Sequence, residues 1–441
     1  MDKMLSIAAR MGRVRMIRHF GQVSAIQAGL ILAGGLSSHA SLGDRVVFSK
    51  GSGASLGGEI IALHDHQVAI LPEGPMEGLS IGTPVELVFA PSLAPADSWI
   101  GRIIDPFGRP LDGRPLAAGG EERGFRTPPP PAALRNRLGV RLDTGLAVFD
   151  TILPLVRGQR MGLFAGSGVG KSTLLSSLAK GVSADVVVIA LVGERGRELR
   201  EFVEETLGEE GMARSVVVAA TSDQSPLMRR RCAWAAMTVA EHFRDRGQHV
   251  LFLADSITRF AEAHREIALA AGESPSYRGF PPSTSHLIMS LAERSGPGPI
   301  GSGDITAIFS VLVAGSDMEE PVADILRGVL DGHVVLDRAI AERGRFPAVD
   351  VLRSVSRSLP QAASTAENAL IARARATLGT YAESELMIRA GLYSQGSDPR
   401  VDEAVRLYPA LDQFFTHKSP DARQSFALLA DALGMPPPRP E

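Results

Sequence analysis

Eight consecutive residues constrain this chain more than any others: Ala165-Gly166-Ser167-Gly168-Val169-Gly170-Lys171-Ser172. They follow an apolar run, Met161 to Ala165, and precede a helical run, Lys171 to Lys180. Glycines in such a loop let the backbone come close enough for its N–H groups, and the N-terminus of the following helix, to hold phosphate oxygens. Gly166, Ser167, Gly168, Val169 and Gly170 are therefore expected to cradle phosphates, with Thr173 in the first helical turn. Lys171 would meet the terminal phosphates and Ser172 would meet Mg²⁺. The usual pattern begins with Gly where this chain has Ala165, a position at the start of the loop where a methyl group is tolerable. A strand, a loop and a helix in that order demand a mixed α/β fold.

The surrounding sequence agrees. Between about Leu142 and Arg345, apolar runs alternate with helical patterns: Met161 to Ala165, Val186 to Val192, Ser215 to Ala220, Val250 to Ala254 and Thr306 to Val313. Continuous apolar strands read as a largely parallel sheet covered on both faces. Two of these runs end in carboxylates. Leu251 to Ala254 leads into Asp255; alone, such a residue is commonly a helix N-cap, but beside a phosphate loop it is placed to orient Mg²⁺ and its waters. Val186 to Val192 leads into Gly193-Glu194-Arg195, where Glu194 can polarise a water for attack on the terminal phosphate.

The rest of the chain reads as appendages to that core. At 441 residues it is long enough for two or three domains. Residues 1–20 place Met4, Ile7, Met11, Val14, Ile17 and Phe20 at helical spacing among Lys3, Arg10, Arg13, Arg15 and Arg18, which reads as an amphipathic basic helix. Residues 21–92 give short β-rich runs separated by turns, a small barrel. Residues 93–360 hold a turn-rich linker, Gly101 to Gly113 and Pro128 to Pro131, and then the core. Residues 361–441 are rich in Ala, Glu, Arg and Leu and read as a helical C-terminal domain. The apolar stretch Val23 to Leu36 is not a signal peptide, since Gln27 interrupts it, and no run approaches the ~18 apolar residues of a membrane span. A soluble, cytoplasmic chain is expected. Its single cysteine, Cys232, excludes a disulfide framework and reads as a buried small hydrophobe. With 49 acidic against 46 basic side chains there is no global field for nucleic acid. The barrel stretch carries only Phe48 and Phe89 as aromatic residues, and few basic ones, so a nucleic-acid motor is disfavoured.

The phosphate loop, Val-Gly-Glu-Arg-Gly-Arg-Glu (Val192 to Glu198), Ala-Asp-Ser-Ile-Thr-Arg (Ala254 to Arg259) and Arg-Gly-Phe-Pro-Pro-Ser (Arg278 to Ser283) together resemble the flagellar and injectisome type III export ATPases. Catalytic subunits of rotary ATP synthases are more distant relatives. The resemblance continues through Ala314 to Pro321, Leu330 to Leu336 and Asp398 to Ala404. It implies a P-loop NTPase core with a mainly parallel sheet, preceded by a small N-terminal β-barrel and followed by a helical C-terminal domain. It further implies ATP and Mg²⁺ as ligands, and Arg195 and Arg259 near the terminal phosphate. Phe346 matches an adenine-stacking position. Arg357 matches an arginine finger that acts on ATP in a neighbouring subunit, which requires a ring, a homohexamer. Implied partners are a stator-like regulator at the N-terminal helix, export chaperones and substrates, a central stalk protein and the export gate at the membrane, with an anionic lipid surface as a further contact and no nucleic acid. The implied location is cytoplasmic, peripheral to the inner membrane at the flagellar export apparatus. An injectisome ATPase and a rotary synthase catalytic subunit remain alternatives; Gly-Glu-Arg-Gly-Arg-Glu and the basic N-terminal helix speak against the synthase.

Overall fold

The computed structural model describes residues 17–27, 29–49, 55–313 and 318–438. Most of the expected N-terminal helix, up to Met16, lies outside them, and its last residues correct the expectation. Ile17 and Arg18 have no regular structure, and His19 and Phe20 open a strand instead. Phe20 pairs with Glu86 and His19 with Leu87, so ladder hydrogen bonds to a distant strand override the local helical spacing.

That strand, β1 (His19–Gln27), joins β2 (Leu30–Gly34), β3 (Arg45–Ser49), β4 (Ser55–Leu63), β5 (Gln67–Pro72) and β6 (Pro84–Phe89) in a closed barrel of order β1-β2-β5-β4-β3-β6. Alternate side chains fill it: Val46 and Phe48, Val68 and Ile70, Val85 and Leu87 are all buried. The barrel is fastened to the rest of the chain by charge. Glu59 on β4 receives Arg230 at 2.6 Å and Arg231 at 2.9 Å, and Glu73 receives Arg231 at 3.0 Å and Arg45 at 2.9 Å.

An eight-stranded sheet forms the centre. Its strands are β7 (Arg102–Ile104), β8 (Arg160–Ala165), β9 (Val186–Glu194), β10 (Ser215–Thr221), β11 (Val250–Asp255), β12 (Ile305–Leu312), β13 (Gly332–Leu336) and β14 (Val349–Ser356). The order is β14-β13-β8-β12-β11-β9-β10-β7. All neighbours are parallel except β13 and β14. The sequence reading put Arg102 to Ile104 in a linker; they form an edge strand paired with β10, too short to stand out among the surrounding turn formers.

Both faces of the sheet are covered, as its apolar runs require. Val187, Ile189 and Leu191 pack on one side with α1 (Lys171–Gly181), and Val188, Ala190 and Val192 pack on the other with α2 (Pro226–Arg244) and α3 (Ile257–Ala270). Truncating a fully buried ring here, such as Phe252 or Phe309, costs about 3–5 kcal/mol. The chain ends in α4 (Thr365–Arg389), α5 (Pro399–Phe414) and α6 (Ala422–Ala432). A capping box starts α4: Ser364 accepts from Glu367 N, and Glu367 accepts from Ser364 N. Among the described residues no helix is long and apolar enough to cross a membrane.

Candidate functional site

Parallel strands send their C-terminal ends to one side of the sheet, and the next helix begins there. A cleft of about 850 Å³ opens on that side, over the ends of β8 and β9. Gly166, Ser167, Gly168, Gly170, Lys171, Ser172 and Thr173 line it, with Glu194, Arg195 and Arg259 opposite. Gly168 and Gly170 have φ of 78° and 87°, a left-handed backbone that favours glycine, and Gly170 caps the start of α1. The loop therefore presents the N-terminal end of an eleven-residue helix to whatever enters the cleft. Val169 does not line the cleft. Its side chain is buried in the core, leaving its backbone for any ligand.

Charge converges at the bottom of the cleft. The Lys171 ammonium contacts the Asp255 carboxylate and lies 3.9 Å from Glu194. Asp255, at the end of β11, is nearly fully buried and accepts a 2.7 Å hydrogen bond from Ser310 Oγ on β12, the strand between β11 and β8. Burial holds the Glu194 carboxyl well above the usual carboxylate range, at about 7; the Asp255 charge adds to this and Lys171 opposes it. Ser172, Glu194 and Asp255 also share a smaller cavity of about 140 Å³ with Phe202 and Thr206. Two oxygen donors, the Ser172 hydroxyl and the Asp255 carboxylate, suit Mg²⁺, a hard cation that takes most of its ligands from water and phosphate oxygens.

The remaining predicted residues divide. Arg195, just before a short helix, is tied to Glu198 at 3.2 Å, and Arg259 on α3 to Glu262 at 3.0 Å, each three residues on, and both guanidinium groups stay substantially exposed. Phe346 does not line the cleft, but its ring lies against the phosphate loop: a Cβ added to Gly170 would stand 3.2 Å from Phe346 Cδ1. Arg357 lies elsewhere. It follows β14, which runs against the other strands, and its N–H donates to the Asp331 carbonyl at the N-terminal end of the sheet. The six residues of β8, Arg160–Ala165, separate that end from the phosphate loop by roughly 16 Å.

Among the residues at the site not singled out from sequence are Arg229 and Ser310. Arg229 lines the cleft from the first turns of α2, with Nη2 on Glu266 at 3.0 Å and its chain packed over Gly193. Its signal was an arginine run, Arg229 to Arg231, just after a strand end on the same side of the sheet. Ser310 shares an otherwise apolar strand with Thr306.

The phosphate loop, the buried acidic strand end, and Glu194 beside the lysine define a P-loop ATPase with a barrel before its sheet and helices after it. Residues 145–356 match the ATP synthase alpha/beta family nucleotide-binding domain, and residues 363–433 match the T3SS EscN ATPase C-terminal domain. The chain is 45% identical over 439 residues to the flagellum-specific ATP synthase of Caulobacter vibrioides, covering 98% of each. It is 42% identical to that of Bacillus subtilis, covering 95% of this chain and 96% of the relative. The assembled ATPase EscN of the enteropathogenic E. coli type III secretion system superposes with a TM-score of 0.84 at 35% identity, over 94% of this chain and 100% of EscN. The chain belongs to the flagellum-specific ATP synthase family.

Proposed function

We propose that this chain hydrolyses MgATP as the export ATPase of a flagellar type III secretion apparatus, priming export by unfolding substrates or releasing them from their chaperones. The observation that carries the chemistry is Glu194: a carboxylate at the end of β9, 3.9 Å from the phosphate-loop lysine and lining the same cleft. The flagellar assignment rests on the relatives at 42–45% identity. Lys171 and the loop N–H groups bind the phosphates, and Ser172 and Asp255 hold Mg²⁺. That ion neutralises phosphate charge when bound. Glu194 accepts a proton from the attacking water, Arg195 and Arg259 steady the terminal phosphate, and Phe346 stacks on adenine. Arg357 serves the neighbour's site, so the working form is a homohexamer. A structure of assembled EscN with its central stalk EscO supports extending both the ring and a stalk partner to this chain. The same reading puts the ring in the cytoplasm against the inner membrane, near the export gate. A stator-like regulator and an anionic lipid surface would meet residues 1–20.

The match of residues 363–433 to the EscN C-terminal domain favours secretion over a rotary synthase role, and keeps the injectisome as a second reading. Phosphate release should require Mg²⁺ and remain unchanged when nucleic acid is added. Particle images with an ATP analogue and Mg²⁺ should show closed six-membered rings. Release stimulated severalfold by single-stranded nucleic acid would instead support a nucleic-acid motor.

A further inference from the structure

The guanidinium of Arg345, next to Phe346, is nine-tenths buried between the sheet and the C-terminal helices. Nε meets Asp412 Oδ1 of α5 at 3.1 Å, Nη2 donates to the Val349 carbonyl at 2.9 Å, and the group lies 5.2 Å from the ring centroid of Phe415, just after α5. Among the described residues its Nη1 is buried without an acceptor, beside a cavity of about 220 Å³ lined also by Tyr381 and Tyr408. A buried donor left unpaired carries a desolvation cost. The three groups that fix it belong to two bodies. Val349 begins β14, whereas Asp412 and Phe415 belong to the helical end of the chain, and the residue that follows Arg345 is the one whose ring lies against Gly170.

We infer that Arg345 is a positioning residue for nucleotide binding: it holds the Phe346 ring in place against the phosphate loop from α5. The inference rests on the reading of Phe346 as the adenine wall. The planar guanidinium fixes two directions at once, one through Asp412 and one through the Val349 carbonyl, which a flexible ammonium does not reproduce. A shift of α5 therefore moves the wall and leaves Lys171, Glu194 and Asp255 where they are.

The test measures KM, kcat and the inhibition constant of inorganic triphosphate, which lacks a base, for Arg345→Gln, Asp412→Asn, Phe346→Ala and the double variant Phe346→Ala/Arg345→Gln. Thermal melting identifies any variant that fails to fold, and Asp412→Asn, which keeps the guanidinium, is the milder perturbation. Phe346→Ala should raise KM for ATP about tenfold. Arg345→Gln should raise it about fivefold to twentyfold, with kcat within about twofold and inhibition by triphosphate unchanged. Adding Arg345→Gln to Phe346→Ala should raise KM no further. If Phe346→Ala leaves KM unchanged, the adenine reading falls and the inference with it. If Phe346→Ala raises KM but Arg345→Gln multiplies it independently, weakens triphosphate equally or has no effect, the adenine reading stands and the inference alone is overturned.

Discussion

Both ends of the eight-stranded sheet pair their charges, but only one gathers them around an open cleft. At the C-terminal ends of the parallel strands, Lys171, Glu194, Arg195, Arg229 and Arg259 line an open cleft, and the Glu194 carboxyl is pushed toward its neutral form. At the N-terminal ends charges are neutralised in pairs: Arg160 with Asp331 at 3.1 Å and Glu293 at 2.6 Å, Arg157 with Asp304 at 2.6 Å. Arg357 is the exception there. Among the described residues its guanidinium meets a single acceptor, the Arg327 carbonyl at 3.3 Å, and it is exposed. On the proposed reading, one end supplies a phosphate site and a base, and the other supplies a cation, held by a single carbonyl and far from its own cleft, to a second copy.

The strongest way to break this contrast is Arg357→Ala. The proposed division of labour predicts a loss of about 10³-fold in turnover with nucleotide binding nearly unchanged, because the cation acts on the neighbour's transferring phosphate. Mixing Arg357→Ala with Lys171→Ala should restore part of the rate, since mixed rings contain some pairs with an intact cleft facing an intact Arg357. Rings shown to contain both variants yet no more active than either would make Arg357 structural. At the other end, Glu194→Gln should lower turnover by about 10² or more and leave nucleotide affinity close to normal; hydrolysis at the wild-type rate would remove the base from the mechanism.

Smaller effects sharpen the comparison. Because kcat/KM reports ionisations of the free enzyme, it should fall below pH 7 in step with protonation of Glu194, whose carboxyl stands at about 7, and be level above it. An acid limb centred near the ordinary carboxylate value would mean that burial is not tuning the base. The same shift bears on stability. Its folded value lies above the unfolded one, so ionisation is disfavoured in the fold, and stability is lost as pH rises through about 7. Nucleotide-free Glu194→Gln should therefore be more stable than the parent at pH 8, on the order of 1–3 kcal/mol, with the gap narrowing toward pH 5. Equal stability at both pH values would show that the cleft solvates Glu194 better than its surroundings suggest.

What the sequence revealed depended on how locally each feature is encoded. The phosphate loop, Glu194 and Asp255 were legible because each sits at the end of an uninterrupted apolar run, and such runs are the mark of a strand buried on both faces. The barrel was legible in outline only. Its first strand overlapped a helical pattern through His19 and Phe20, and pairing with β6, more than sixty residues away, decided the outcome. Strands β7 and β14 lacked the signal for a related reason: β7 has three residues, and β14 is an edge strand whose apolar residues are interrupted by Asp350, Arg353 and Ser354. Arg229 and Arg345 could not be assigned from spacing, because their partners, Glu266 and Asp412, lie 37 and 67 positions away. The trans role proposed for Arg357 came from resemblance alone; the reversed direction of β14 puts this residue at the end of the sheet away from its own cleft.

The closed barrel limits how two copies can adhere. Its strand hydrogen bonds return on themselves from β6 to β1, so it offers no open row of backbone N–H and C=O groups for another chain to extend. Among the described residues, exposed side chains such as Phe20, Ile26 and Ile81 are what the barrel offers for contact. Surfaces of that kind can associate and separate with the chain remaining folded, whereas strand exchange would lock copies together. For this part of the molecule, the architecture protects against fibre-like growth while leaving assembly reversible.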